Sequence, residues 1–236
     1  MTQAHERFLR AVANKDTTAI QELVEGLGLA YSDAYRIAYI SESAEDKPWY
    51  PALTTAFMNQ DIRQCTQCPL HENRTQAVPS EGNIQADLMF IGEAPGQTED
   101  AMGRPFVGKA GELLNKMITA AGWARESIYI ANIVKCRPPD NRDPHITEVG
   151  KCLSYLQREI EIVKPKVIVC LGSPAARTII EPDFKISANR GKWYESYGAK
   201  CMAIYHPAFL LRRSDKALNL EAWQDLQKVM KALEDA

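Results

Sequence analysis

Three acids (Glu93, Glu99, Asp100) and one aromatic ring (Phe106) share a stretch, residues 92–111, that also holds five glycines and two prolines. Glycines at that density let backbone come close to a ligand. A loop between strand and helix sets its side chains at the carboxyl end of a sheet, where open α/β folds keep their sites. Gly108-Lys109-Ala110 lacks the Ser/Thr and the upstream glycine of a P-loop, and the glycines do not fall in the Gly-x-Gly-x-x-Gly order of a dinucleotide fold. Acids beside a ring suit a small planar polar ligand, stacked on the ring and read at its edge.

The cysteines are Cys65, Cys68, Cys136, Cys152, Cys170 and Cys201. Cys170 and Cys201 sit in strand-like apolar runs, where a thiol packs as a small hydrophobe. The other four form a candidate metal set. Cys65-Thr66-Gln67-Cys68 points two thiolates at one centre; Cys136 follows a strand, and Cys152, after fifteen intervening residues, lies early in the next helix. Four thiolates suit tetrahedral zinc or a [4Fe-4S] cluster, and the spacing does not choose between them. Further on, Tyr205-His206-Pro207 places an imidazole where a strand meets a proline, in extended backbone. It could donate a hydrogen bond to an oxygen that gains negative charge. The plainer reading is a surface histidine ahead of a helix. Leu210 and Leu211 beside Arg212 and Arg213 have the make-up of an apolar wedge flanked by phosphate contacts.

These residues need a frame. Short apolar runs at 88–91, 128–133 and 167–171 read as strands, with a late pair at 192–194 and 200–204 around a turn near Tyr197-Gly198. Amphipathic patterns at 111–121, 146–163, 174–180 and 218–233 read as helices. The alternation predicts an α/β fold: a parallel sheet covered on both faces. Residues 1–64 read as a small helical segment (5–13, 17–27 and 32–40, then a loop over 41–48), and residues 65–236 as the main domain. Two readings of the amino-terminal part stay open: an accessory cap, or a docking module for a partner protein.

Composition sets the outer bounds. In 236 residues, 45% apolar and 25% charged content is that of an ordinary globular protein. The net charge of −2 shows no global basic field, although the acid excess lies mainly in the first 64 residues. No apolar run spans a membrane and no signal peptide opens the chain, so a cytoplasmic, monomeric protein is expected.

Taken together, the motifs resemble the family-4 uracil-DNA glycosylases, the iron–sulfur members of that superfamily. The matching segments are Cys65-x2-Cys68-Pro69-Leu70, Arg74-Thr75, Gly92-Glu93-Ala94-Pro95-Gly96 with Glu99-Asp100, and Gly103-Arg104-Pro105-Phe106-Val107-Gly108. They continue through Asn132 to Pro139, Asn141-Arg142, Cys152, Arg190-Gly191 and His206-Pro207-Ala208 with Leu210-Leu211.

The resemblance implies a three-layer α/β/α fold on a central four-stranded parallel sheet, a [4Fe-4S] cluster held by Cys65, Cys68, Cys136 and Cys152, and uracil-containing DNA as partner. It implies that Phe106 stacks on a flipped uracil and Asn132 reads its edge, while Glu99 crowds out the methyl of thymine. His206 then stabilises charge on the departing base, assisted by the Gly92–Gly96 loop with Ala94. Glu93 counters the sugar cation and orients water, or alternatively bonds loop amides. Arg190, Leu210, Leu211 and Arg212 contact DNA. Better-known uracil glycosylases carry an Asp where Ala94 stands, and a covalently trapping subset carries a glutamine there, so turnover is expected.

Overall fold

The computed structural model describes residues 50–235; the helices expected over 5–13, 17–27 and 32–40, and the loop over 41–48, lie outside them. The chain divides after Asp61, and the unit beginning at Ile62 carries the sheet. Six strands form it: β1 (Glu81–Gly82), β2 (Leu88–Gly92), β3 (Tyr129–Asn132), β4 (Val167–Leu171), β5 (Trp193–Ser196) and β6 (Ala199–Ile204), in the order β1-β3-β2-β4-β6-β5. Strands β3, β2, β4 and β6 are parallel to one another, so the four-stranded parallel core expected from the sequence is present. β1 and β5 add antiparallel edges. β2 and β4 are buried at every position, as strands covered on both faces must be.

The described helices are α1 (Tyr50–Gln64), α2 (Leu70–Asn73), α3 (Gln97–Met102), α4 (Lys109–Ala120), α5 (Ile146–Val163), α6 (Ser173–Ile179), α7 (Ile186–Asn189), α8 (Pro207–Arg213) and α9 (Lys216–Glu234). On one face of the sheet Leu88, Phe90, Ile130 and Val169 pack with Leu114 and Ile118 of α4 and with Leu226 and Val229 of α9. Their sequence neighbours point the other way by the two-residue period of a strand. There α6 packs on β2, β4 and β6, and α5 on β3. Among the described residues, no helix is long and apolar enough to cross a membrane.

The differences from expectation are local. The edge strand expected over 192–194 lies at Trp193–Ser196, because Tyr197 and Gly198 (φ 50° and 74°) make a two-residue turn that pairs Ser196 with Ala199. α9 begins two residues early, capped by Asp215, whose carboxylate accepts from the Ala217 N–H at 2.8 Å. α3 and α8 are helices that the apolar spacing does not show: α3 is a six-residue helix amid glycines, and α8 opens on Pro207, whose missing N–H is no loss at a first helical position.

Behind β3 lies a fully buried ion pair. Lys135 Nζ meets Glu159 of α5 at 2.6 Å, with side chains 2% and 0% exposed, and also donates to Ser80 Oγ (2.9 Å) and the Asn132 carbonyl (3.2 Å). Such a pair is costly to halve and cheap to replace whole. Lys135→Met should therefore destabilise the fold by about 3–5 kcal/mol, and Lys135→Met with Glu159→Leu should recover most of that loss. Urea denaturation of both variants checks this; a double variant no better than the single would refute it.

Candidate active site

The parallel register ends β2, β3, β4 and β6 along one edge, so Glu93, Asn132, Gly172 and His206 emerge side by side. β2 lies between β3 and β4, so the chain leaves it towards β3 on one side and then crosses back to β4 on the other, which makes the switch point at which open sheets form a crevice. A cavity of about 530 Å³ opens there. Asn132 lines it while only 3% exposed, and its buried Oδ1 has no hydrogen-bond partner among the described residues. A buried amide oxygen left unpaired costs about 1–3 kcal/mol, so this acceptor is placed for a ligand N–H. Gly92, opposite Asn132 in the sheet, makes the room: a Cβ there would stand 2.5 Å from both Asn132 Oδ1 and Phe106 Cζ.

Phe106 enters the cavity wall from a left-handed backbone (φ 50°), a conformation that costs a non-glycine residue about 1–3 kcal/mol and persists only where its surroundings enforce it. Its ring stands 5.8 Å from the His206 ring, tilted by 33°. His206 caps α8, its Nδ1 accepting from the Ala208 N–H at 3.1 Å. That bond leaves the proton of the neutral ring on Nε2. Burial first, and then the nearby Arg212 charge, pull the imidazole pKa down to about 4, so the ring is a neutral donor at physiological pH.

The acids divide their work differently from expectation. Glu99 lines the cavity, but its carboxylate clamps the loop: Oε1 accepts from Val107 N (2.9 Å) and Gly108 N (2.7 Å), Oε2 from Gly96 N (3.1 Å). The amide-bonding role considered for Glu93 thus belongs to Glu99. Asp100 takes the Thr75 N–H. Glu93 is half-buried in the cavity, and its pKa is raised to about 7, chiefly by burial, then by the charge of Asp143 and a hydrogen bond with it, against the pull of Arg212. Asp143 arrives on a loop fastened by Arg142, which forks onto both oxygens of Glu148 at 2.7 and 2.9 Å. Gly92, Ala94, Asn132, Phe106, Glu93 and His206 are thus brought to one place.

Two residues expected at a DNA surface are not there. Arg190 is engaged inside the fold: it pairs with Asp225 and with Glu221 (2.7 Å), and lies 5.0 Å over the Tyr205 ring. Leu210 is 3% exposed and faces α4, whereas Leu211 is 44% exposed. Successive helical residues point about 100° apart, so only one of the pair can face outward. Arg212 is exposed at the cavity rim.

Away from the cavity, Cys65, Cys68, Cys136 and Cys152 line one pocket. Arg74 donates to Cys136 Sγ (3.0 Å) and the Lys135 N–H to Cys152 Sγ (3.3 Å). Burial raises Cys136 and pushes Cys152 up to about 12, so both are thiols at neutral pH unless a cation displaces the proton. Among the described residues, no three Cys, His, Asp or Glu side chains close on a single ion position.

Sequence reading missed Asp143, Tyr205, Ser173 and Arg125 as parts of the site or its support. Asp143 and Tyr205 carried a signal, standing directly after the Asn141-Arg142 motif and directly before His206-Pro207; Ser173 and Arg125 come from distant elements.

Residues 79–227 match the Uracil DNA glycosylase superfamily. The chain is 47% identical over 178 residues to a type-4 uracil-DNA glycosylase of Archaeoglobus fulgidus, covering 72% of this chain and 88% of that one. Type-4 uracil-DNA glycosylases of Thermotoga maritima and Saccharolobus solfataricus are 41% and 43% identical, over 72% and 73% of this chain and 90% and 83% of theirs.

The cavity inverts the usual order of titration: the histidine gives up its proton near pH 4 and the glutamic acid near pH 7. Between those values both are neutral. NMR titration should find the His206 Cε1–H midpoint near 4, and Asp143→Asn should lower the Glu93 midpoint by removing a neighbouring negative charge. A His206 midpoint above 6 would contradict this.

Proposed function

The chain belongs to the type-4 uracil-DNA glycosylases of the uracil DNA glycosylase superfamily, and from that premise we propose how its cavity works. It removes uracil from DNA by hydrolysing the N-glycosidic bond, leaving an abasic site. The carrying observation for the site is the buried, unpaired Asn132 Oδ1 beside the Phe106 ring. Flipping the base costs a few kcal/mol, less at a mismatch, and stacking on Phe106 returns about 1–3 kcal/mol. Asn132 Oδ1 accepts the uracil N3–H and its amide N–H donates to O4. Cytosine has an acceptor at N3 and a donor at C4, so it leaves buried groups unpaired.

As the bond breaks, electrons pass to the base and O2 becomes an oxyanion. His206 Nε2–H donates to it, already neutral, so no proton need be lost first; amides of the Gly92–Gly96 loop assist. Positive charge develops on the sugar, and the Glu93–Asp143 carboxyl pair, sharing negative charge, faces it and orients the attacking water. Leu211 acts as the apolar wedge, with Arg212 on a phosphate.

Cys65, Cys68, Cys136 and Cys152 would hold a [4Fe-4S] cluster, which supplies a structural tie between the 65–74 segment and the loop running from Cys136 into α5. The four thiols of one pocket and the N–H donors to two of them support this reading. We read residues 65–236 as the glycosylase domain and 1–64 as an accessory extension, since the family match lies wholly in the former.

The anaerobically purified protein, incubated with oligonucleotides carrying single uracil, hypoxanthine or xanthine and then treated with alkali, should cut only at uracil. His206→Ala should slow excision by about 10²–10³-fold, the worth of one oxyanion donor, and Asn132→Ala by a comparable factor; both remaining within a few-fold of wild type would sink the assignment. For the cluster, the wild-type protein should bind iron and absorb visible light, and Cys136→Ser should lose that absorbance. Stoichiometric zinc without iron would exclude it.

A further inference from the structure

Phe106 holds an unfavourable backbone conformation, and something must impose it. Two carbonyls at that bend converge on one guanidinium. Arg125 Nη2 donates to Pro105 O at 2.6 Å, and Nη1 donates to Phe106 O at 3.3 Å and to Asn115 Oδ1 at 2.7 Å. The Arg125 Nε faces Glu81 Oε1 at 3.5 Å. Glu81 is itself fixed by Arg104, which donates to both its oxygens at 2.7 Å. The opposite side of the bend is closed by Gly111, where a Cβ would come within 1.9 Å of Phe106 O. Arg125 comes after α4 and Glu81 lies on β1, so neither belongs to the loop they secure.

We propose that Arg125, anchored by Glu81, is a positioning residue that holds the Phe106 ring at the cavity wall through the Pro105 and Phe106 carbonyls. The inference rests on the reading that Phe106 stacks on the extruded base. Arg125 does its work inside the fold, its side chain only 16% exposed, and not on a phosphate. The planar fork is essential: a lysine ammonium is a single point of donation and cannot span both carbonyls, Asn115 and Glu81 together.

The test measures kcat and KM of the full-length protein on a uracil oligonucleotide for wild type, Arg125→Met, Phe106→Ala and the double variant, at several salt concentrations. Phe106→Ala should lower kcat/KM by about ten- to a hundredfold, the stacking worth of one base. Arg125→Met should reproduce much of that loss, mainly through KM, because stacking is equal in the bound and the reacting base. The double variant should be no worse than Phe106→Ala alone, and the slope of log affinity against log salt should stay at its wild-type value. Arg125→Lys should remain impaired. Should Arg125→Met fold poorly, Glu81→Gln carries the same test with a smaller loss, again without effect once Phe106 is alanine. The proposal is overturned if Phe106→Ala is impaired while Arg125→Met, or Glu81→Gln in its place, matches wild type; if the losses multiply in the double variant; or if the salt slope drops by about one, as loss of a phosphate contact requires. Wild-type activity in Phe106→Ala would instead overturn the stacking reading, and this inference with it.

Discussion

A side chain at position 92 has nowhere to go. β2 and β3 pair Gly92 with Asn132, and the Phe106 ring comes in from the loop beyond β2, so a single Cβ would collide with both. This absent side chain lets the amide and the ring occupy one small volume at the mouth of the sheet. The rest of the site is arranged around that gap. Parallel pairing sets Asn132, Gly172 and His206 level with it, and the Glu99 clamp folds the 96–108 loop back over it. The family chemistry then needs little further machinery, because the ligand-reading groups are fixed before any ligand arrives.

Electrostatics in the cavity come from burial. Desolvation disfavours whichever form is charged, so it lowers the histidine and raises the glutamic acid together. A neutral imidazole with its proton on Nε2 is a donor without the full charge that would have to be desolvated on base binding. Burial and the neighbouring Asp143 bring the Glu93 carboxyl to its titration point near neutrality. Arg212 at the rim lowers both groups, opposing burial at Glu93 and reinforcing it at His206, so one cation helps to set both.

The cysteine pocket and the cavity are joined through β3 and the segment leading out of it. Asn132 ends the strand, Lys135 sits in the buried ion pair and gives its N–H to Cys152, and Cys136 comes next. Five consecutive residues thus join the cavity wall, the buried ion pair and the cysteine pocket. Such crowding explains why that segment allows little freedom: Val78 N–H to Lys135 O and Ile133 N–H to Gly92 O pin it on either side.

Much of this was legible in advance. Unbroken apolar runs specify the central strands, because burial on both faces demands that composition, and the order of cysteines, glycines and Asn/His motifs specifies the family. The resemblance carried by those motifs also grouped Glu93, Phe106, Asn132 and His206. What the chain order could not express was direction and partnership. Arg190 looked like a phosphate contact until the fold brought it to Asp225, thirty-five residues on; Leu210 and Leu211 looked equivalent until a helix turned them apart. Glu99, and not Glu93, bonds the loop amides because only one of them lies under those N–H groups. Composition and periodicity act locally, so sequence by itself determined the strands, and its ordered motifs determined the family. Which carboxylate stays free, which leucine faces out and which arginine braces the ring depend on groups far apart in the chain. Tertiary structure alone decided those, since a side chain's protonation and partners are set by what surrounds it in space.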